Sequence, residues 1–257
     1  MIKKKHIHHK FHIFIFVSLT IFLLITIWWQ HCLKPLKNLH VQQHDIPTLF
    51  IPGYLGNWIS LGPMVHRMNH YGIAKESMVV HIYKNNKISI KKEYPLKNNP
   101  NILVLFKDNT EPNRQSYQLG LLAEKLYSVY HIHKMNLLGH SEGGNIIFKY
   151  LITKHSKKVP ETVKFVNFAD DYPKNQEKKI YKLPSNLKVL TIAGEIWNTG
   201  TDGEIPLKSA LKFNDLIKKH VSEAKVIIFK GAPWYTFHSC LHQNPSVGCA
   251  IAKFLYN

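Results

Sequence analysis

Ser141 stands in Gly139-His140-Ser141-Glu142-Gly143-Gly144, after a short apolar stretch at 135–138 and before a helical pattern. Gly-x-Ser-x-Gly between a strand and a helix is the signature of a nucleophile elbow. The glycines let strand and helix close around a serine whose backbone is strained, and the hydroxyl is lifted clear. The helix starting near Gly143 offers unpaired N–H groups and a partial positive charge where an anionic intermediate would need them. This context marks Ser141 as a nucleophile for acyl transfer.

A serine needs a base to take its proton, and the base needs a carboxylate to fix its tautomer. In elbow-type hydrolases the chain order is serine, acid, histidine. Asp202 lies in the loop 194–206 after an apolar stretch, with Ile205-Pro206 leading back to a helix, and is the preferred acid. Glu195, nearer the strand end, is its rival. Past the last expected strand, His238 and His242 compete as base. His238 lies farther from the final helix and is preferred; His242 is the alternative, or lines the pocket. His140, beside the nucleophile, reads as a supporting hydrogen-bonding group. His40, His66, His70 and His131 have no such setting. No residue pattern calls for a metal or an organic cofactor.

These groups need a frame that brings distant segments together. Residues 48–51 read as a buried strand running into Pro52-Gly53-Tyr54-Leu55-Gly56, followed by a helix at 58–71. The first strand-to-helix loop supplies an oxyanion-hole N–H in such folds, here from Tyr54, with Glu142 supplying the other. Alternating stretches at 77–83 and 87–91 around Lys84-Asn85-Asn86 read as a β-hairpin. A strand at 101–106 precedes a helix at 113–130, in which Tyr117, Leu121, Leu122, Leu126 and Val129 fall at core spacing. Asp108 and Asn109 lie at the strand end, where ligands gather, and are read as turn caps. Then follow a helix at 143–155, a strand at 163–168, a polar excursion at 169–179 read as a lid or substrate-facing loop, a strand at 187–193, a helix at 207–220, a strand at 225–229 and a helix at 246–255. Such βα alternation predicts an α/β fold: a mainly parallel sheet with helices on both faces.

At 257 residues the chain has room for one α/β domain and a short appendage. The appendage is N-terminal. Residues 1–12 are basic and free of acids, 13–29 form an uncharged apolar run closed by Trp28 and Trp29, and 30–45 read as a polar linker to a domain at 46–257. This is the pattern of a transmembrane signal anchor with its lysine-rich end in the cytoplasm and the domain outside. No small-residue cleavage site follows the run; secretion after signal cleavage is the alternative.

The net charge of +18 is spread as lysines over the domain, which suits contact with anionic cell wall or lipid headgroups and not nucleic-acid recognition. Cys32, Cys240 and Cys249 are too few for a disulfide framework, although the last two are open to pairing outside the cell.

Taken together, Leu138-Gly139-His140-Ser141-Glu142-Gly143-Gly144, Asn99-Pro100-Asn101-Ile102 with Asp108-Asn109, Thr201-Asp202-Gly203-Glu204-Ile205-Pro206 and His238-Ser239-Cys240-Leu241-His242-Gln243-Asn244 resemble an uncharacterised family of exported, lipase-like α/β-hydrolases of Gram-positive bacteria. The likeness runs from Pro47 onward, hairpin included. It implies the α/β-hydrolase fold, a triad of Ser141, Asp202 and His238, and oxyanion-hole N–H groups at Tyr54 and Glu142. Three departures stand out: Pro52 replaces the usual histidine before Gly53, Glu142 stands where a neutral residue such as methionine is common, and Gln243 replaces a glutamate.

The expectation is a membrane-anchored serine hydrolase that cleaves carboxylic esters, of small molecules or of lipids, through an acyl-enzyme. A surface binding protein on an inactive hydrolase scaffold is one alternative. A thioesterase or amidase using the same triad is another.

Overall fold

The computed structural model describes residues 2–92, 94–155, 157–171 and 173–257, with side chains outside 2–10, 92, 174 and 175. Met1, the side chains of most of the basic tail and Tyr172 of the polar excursion therefore lie outside the described residues. The chain divides into two compact units, residues 1–39 and 40–257.

The first unit is one helix, α1 (Ile2–Lys37), with Pro35 in its last turn. It carries on through residues 30–37, which the sequence reading gave to the linker. Its stretch Phe11–Lys37 contains an 18-residue window of mean hydropathy 2.4, long and apolar enough to cross a membrane.

The described residues of the second unit form eight strands: β1 (Thr48–Ile51), β2 (Lys75–Ile82), β3 (Ile88–Lys92), β4 (Pro100–Phe106), β5 (Lys134–His140), β6 (Glu161–Phe168), β7 (Lys188–Ile196) and β8 (Glu223–Gly231). They lie side by side in the order β3-β2-β4-β1-β5-β6-β7-β8. Only β2 and β3 pair antiparallel; they are the expected hairpin, placed at the sheet edge. Central strands read as unbroken apolar runs because helices cover both faces, and β1 and β4 are buried at every residue. At the other edge, β8 is half-exposed along its length.

Helices α2 (Trp58–His70), α3 (Pro112–Tyr130), α4 (Glu142–Leu151), α5 (Leu207–Ile217) and α8 (Pro245–Tyr256) complete the layers, with the short turns α6 (Pro233–Thr236) and α7 (His238–Leu241) before α8. Asn57 starts α2 with a capping box: its Oδ1 accepts from the Ile59 N–H at 2.8 Å, and Ser60 Oγ accepts from the Asn57 N–H. One continuous core joins Leu49 and Ile51 of β1, Ile102 and Val104 of β4, Leu122 and Leu126 of α3, and Ile146, Ile147 and Phe148 of α4. Tyr117 and Val129, expected in this core, are exposed: the buried face of α3 runs through Leu119, Leu122, Ala123 and Leu126, and the two lie outside that stripe.

All strands but β3 are parallel, so the loops after β1, β4, β5, β6, β7 and β8 meet at one end of the sheet. Ser141 and Asp202 lie in the connections at that end, and His238 opens α7 there.

Candidate functional site

Ser141 is the single residue between β5 and α4, with φ 54° and ψ −135°. The left-handed φ is costly for a non-glycine residue and needs strong support from the surroundings. That support comes from two close approaches. A Cβ on Gly139 would lie 2.4 Å from the Gly143 carbonyl carbon, and one on Gly143 would lie 2.3 Å from the Ile51 carbonyl oxygen. The Ser141 N–H donates to the Phe168 carbonyl at 2.8 Å and the Gly144 N–H to the Ser141 carbonyl at 2.8 Å, fixing the turn on both sides. Serine at a helix start usually caps it through its side chain. Here it makes no such bond, so its hydroxyl is not spent on the helix.

The loop after β1 lies directly on this elbow. A Cβ on Gly53 would come within 2.7 Å of the Ser141 Cβ and 3.2 Å of the Glu142 nitrogen. The loop is braced from the β4 end, where the Leu55 N–H donates to the Asn109 carbonyl at 2.9 Å and Asn109 Nδ2 donates to the Gly56 carbonyl at 3.2 Å. Asn109 thus braces this loop, while Asp108 pairs with Arg114 of α3.

Asp202 and His238 meet in the interior. His238 Nδ1 lies 2.9 Å from Asp202 Oδ2, with both side chains almost fully buried. The pairing extends to the backbone, where the His238 N–H donates to the Asp202 carbonyl at 2.8 Å. Asp202 Oδ1 accepts from the N–H groups of Glu204 at 3.0 Å and Ile205 at 2.7 Å. A carboxylate this deeply buried is tolerable because donors serve both of its oxygens. His238 Nε2 stands 3.7 Å from the exposed Glu204 carboxylate.

The rivals are engaged elsewhere. Glu195 accepts from the Gly200 N–H at 3.1 Å and pairs with Lys230 at 2.9 Å, closing its own loop onto β8. His242 Nδ1 lies 2.9 Å from Gln243 Nε2, and Gln243 Oε1 accepts from Arg67 at 3.0 Å. Because Arg67 holds the amide oxygen, the amide nitrogen is the donor, and the proton of a neutral His242 sits on Nε2. Burial pushes His242 down to about 4, with His238 and Arg67 adding to it.

His140 links the serine to the histidine loop. Its ring packs 4.8 Å from His238, 5.1 Å from His242 and 4.9 Å from Phe168, centre to centre. Its Nε2 has no partner among the described residues. Burial, then the neighbouring imidazoles, hold His140 far below the usual histidine range.

Two carboxyl groups flank the first turn of α4. Burial raises Glu142 above the ordinary carboxyl range, only partly offset by Lys149. Asp170 is fully enclosed and raised much further by burial and then by Glu142. Its Oδ1 accepts from Asn145 Nδ2 at 3.0 Å, and its Oδ2 would lie 2.4 Å from a Cβ on Gly144. Sequence reasoning missed Asp170 by placing it in the polar excursion. The signal available was Gly144, a second glycine that the elbow itself does not require.

The rest of that excursion corrects the lid expectation. A 3-10 helix (Lys174–Lys182) covers its second half, and Ile180 with Leu183 fastens it into the core. Gln176, Lys179 and Lys182 border an open cleft of about 760 Å³ shared with α3 and the end of α4, on the flank of the sheet. Cys240 and Cys249, open to pairing on the sequence, are free thiols, and no group of metal-ligating side chains occurs among the described residues.

Residues 36–180 and 169–257 match the family described as "Alpha/beta hydrolase of unknown function (DUF915)". The chain belongs to this family. Its fold is the α/β-hydrolase fold, as the strand order and elbow indicate. A Listeria innocua gene product of known structure is 25% identical, with a TM-score of 0.71 over 82% of this chain and 93% of its own. A protein of Lactobacillus plantarum WCFS1, described as a candidate cell surface hydrolase, is 23% identical with a TM-score of 0.67, covering 82% and 91%. No curated protein matches the sequence.

Proposed function

We propose that this member of the hydrolase family is a serine esterase with Ser141 as nucleophile, His238 as general base and Asp202 as its orienting carboxylate. The observation that carries this reading is the buried 2.9 Å contact between His238 Nδ1 and Asp202 Oδ2, joined through His140 to a serine at φ 54°. In the reaction, Ser141 Oγ attacks the acyl carbon as His238 Nε2 takes its proton. The carbonyl oxygen gains the charge, and the N–H groups of Tyr54 and Glu142 stabilise it. As the tetrahedral species collapses, His238 returns the proton to the leaving alcohol. Water, activated by the same imidazole, then hydrolyses the acyl-enzyme. Asp202 keeps the Nδ1 proton in place and stabilises the imidazolium without taking that proton.

Gly53 supports the role given to Tyr54, because its contact with the Ser141 Cβ and Glu142 nitrogen puts the next N–H beside the elbow. The helix start supports the role of Glu142, since the first N–H groups of a helix lack intrahelical partners. α1 is read as a signal anchor that holds the hydrolase domain outside the cell membrane.

Fluorophosphonate labelling tests the assignment. The native chain should be labelled and Ser141→Ala should not, with both melting cooperatively; labelling of the alanine variant removes the nucleophile from this position.

A further inference from the structure

Outside α1 the chain has three tryptophans, and all three lie at the carboxyl end of the sheet with large parts of their rings in solvent. Trp58, at the start of α2, is 46% exposed, Trp197 after β7 is 58% exposed, and Trp234 in α6 after β8 is 65% exposed. Tryptophan is rarely left so open, since its large apolar body is highly buried on average. Leu55 and Ile59 stand out on the β1 side, at 58% and 68%, and Phe237 on the β8 side. Phe237 packs over Gly203 of the Asp202 loop, where a Cβ would meet its ring at 2.6 Å.

These groups form one rim. Asn244 Nδ2 donates to the Tyr235 carbonyl at 3.2 Å and Gln243 Nε2 to the Ile59 carbonyl at 3.5 Å, tying the loop after β8 to the start of α2. Lys230 bonds Asn198 at 2.8 Å, tying β8 to the Trp197 loop. The Leu55 loop lies on Ser141 itself.

Backbone cost is an independent sign that the rim is used. Leu55 has φ 53° and Trp197 has φ 48°, left-handed positions that glycine or asparagine would occupy with less strain. Exposed turns need no leucine or tryptophan there. The same end of the sheet carries exposed Lys84, Lys87 and Lys107, in a chain with 34 basic residues against 16 acidic ones. Exposed indoles at a sheet end that also bears lysines match the headgroup layer of an anionic bilayer, where tryptophan rings settle and basic side chains are attracted.

We propose that this rim docks the hydrolase domain onto an anionic lipid surface, so that its substrates are acyl esters presented at that surface. The substrate half rests on the serine-hydrolase reading; the docking half rests on the rim alone. The test uses the full chain carrying Trp28→Phe and Trp29→Phe, which leaves only the three rim indoles to fluoresce. It is reconstituted in phosphatidylglycerol vesicles with or without bromine on the acyl chains. Docking predicts that bromination cuts the emission about twofold or more, because indoles in the headgroup layer lie close to the first acyl carbons. Ser141→Ala in the same background should be quenched equally, so loss of esterase activity and loss of docking are read separately. Emission unchanged by bromination overturns the proposal. Unchanged emission with efficient cross-linking between chains through Trp234→Cys assigns the rim to a second copy of the protein instead.

Discussion

The imidazole of His140 is wedged between His238 and His242, its ring centre 4.8 Å from the first and 5.1 Å from the second. It is the residue before the nucleophile, and its ring packing joins the end of β5 to the segment that carries the proposed base. His140→Phe keeps an aromatic ring and removes both ring nitrogens. A swap of similar volume in a packed interior usually costs less than about 1.5 kcal/mol, so the variant should still fold. Its kcat for a soluble short-chain ester should fall by about 10-fold or more while KM changes little, because small misplacements of a base are expensive. Equal kcat in variant and native chain would reduce His140 to packing.

Asp202→Asn separates orientation from architecture. The Asn oxygen can still accept from the Glu204 and Ile205 N–H groups, but the amide nitrogen cannot accept from His238 Nδ1. The tautomer is then wrong, and kcat should drop by about 10³–10⁴-fold with the fold retained, by analogy with serine proteases. Glu195→Gln, which loses the Lys230 pair on the edge of the sheet, should stay within about threefold of the native rate, since the bonds of Glu195 go to Gly200 and Lys230 and not to the Asp202–His238 pair. A reversed ranking in steady-state assays would make Glu195 the acid.

Acid sensitivity follows from His242. Its folded value of about 4 lies below the ordinary histidine value of 6.5. The unfolded chain therefore binds this proton first, and the stability from keeping His242 neutral is complete above about 6.5 and is lost as pH falls to about 4. His140, also lowered, acts with the same sign. Glu142 and Asp170, both raised, act with the opposite sign: their share is present below their unfolded values and disappears as pH climbs through the folded ones. Urea midpoints measured across this window should fall on acidification. His242→Asn should flatten the slope by up to about 1.4 kcal/mol per pH unit, the contribution of one proton.

What the sequence reveals about this site depends on how local the physics is. The elbow is legible because Gly139 and Gly143, set around the serine, have one efficient use, close approach of β5 to α4 and β1. Asp202 and His238 are legible through chain order after the serine, yet their rivals were separated only by contacts of Glu195 with Lys230 and of His242 with Gln243, which are distant in chain or dependent on an amide's orientation. The hairpin edge follows from alternation. The exposure of Tyr117 and Val129 does not, because helical spacing alone leaves the width of a buried stripe open. Nor does the tryptophan rim, since apolar residues in three loops look like core until the fold shows that they face outward.

Gly53 offers a test of how tightly the oxyanion loop is seated. Its added methyl would press on the Ser141 Cβ at 2.7 Å and the His140 carbonyl at 2.8 Å, in a place where backbone must move. Gly53→Ala should cost about 1–3 kcal/mol in stability, the usual range for overpacking. Its kcat/KM should fall by about 10²-fold, more than the stability loss explains, because the Tyr54 N–H would be carried away from the elbow. Thermal melts beside ester kinetics give both quantities.

Glu142 bears on the departure from the family pattern. Its carboxyl is half-buried beside the N–H assigned to the oxyanion, and burial raises its pKa, with Asp170 nearby raised further. When neutral it leaves the oxyanion site undisturbed. Once ionised it sets a negative charge where negative charge must develop in the transition state, so kcat/KM should decline as pH rises through its raised value. Glu142→Gln removes that charge and keeps the shape. It should raise kcat/KM by about three- to tenfold at neutral pH, worth roughly 1 kcal/mol of repulsion relieved, with no gain at acid pH where the native carboxyl is already neutral. Matching profiles for the two proteins over the whole range would mean that the carboxylate is screened by solvent from the reacting oxygen.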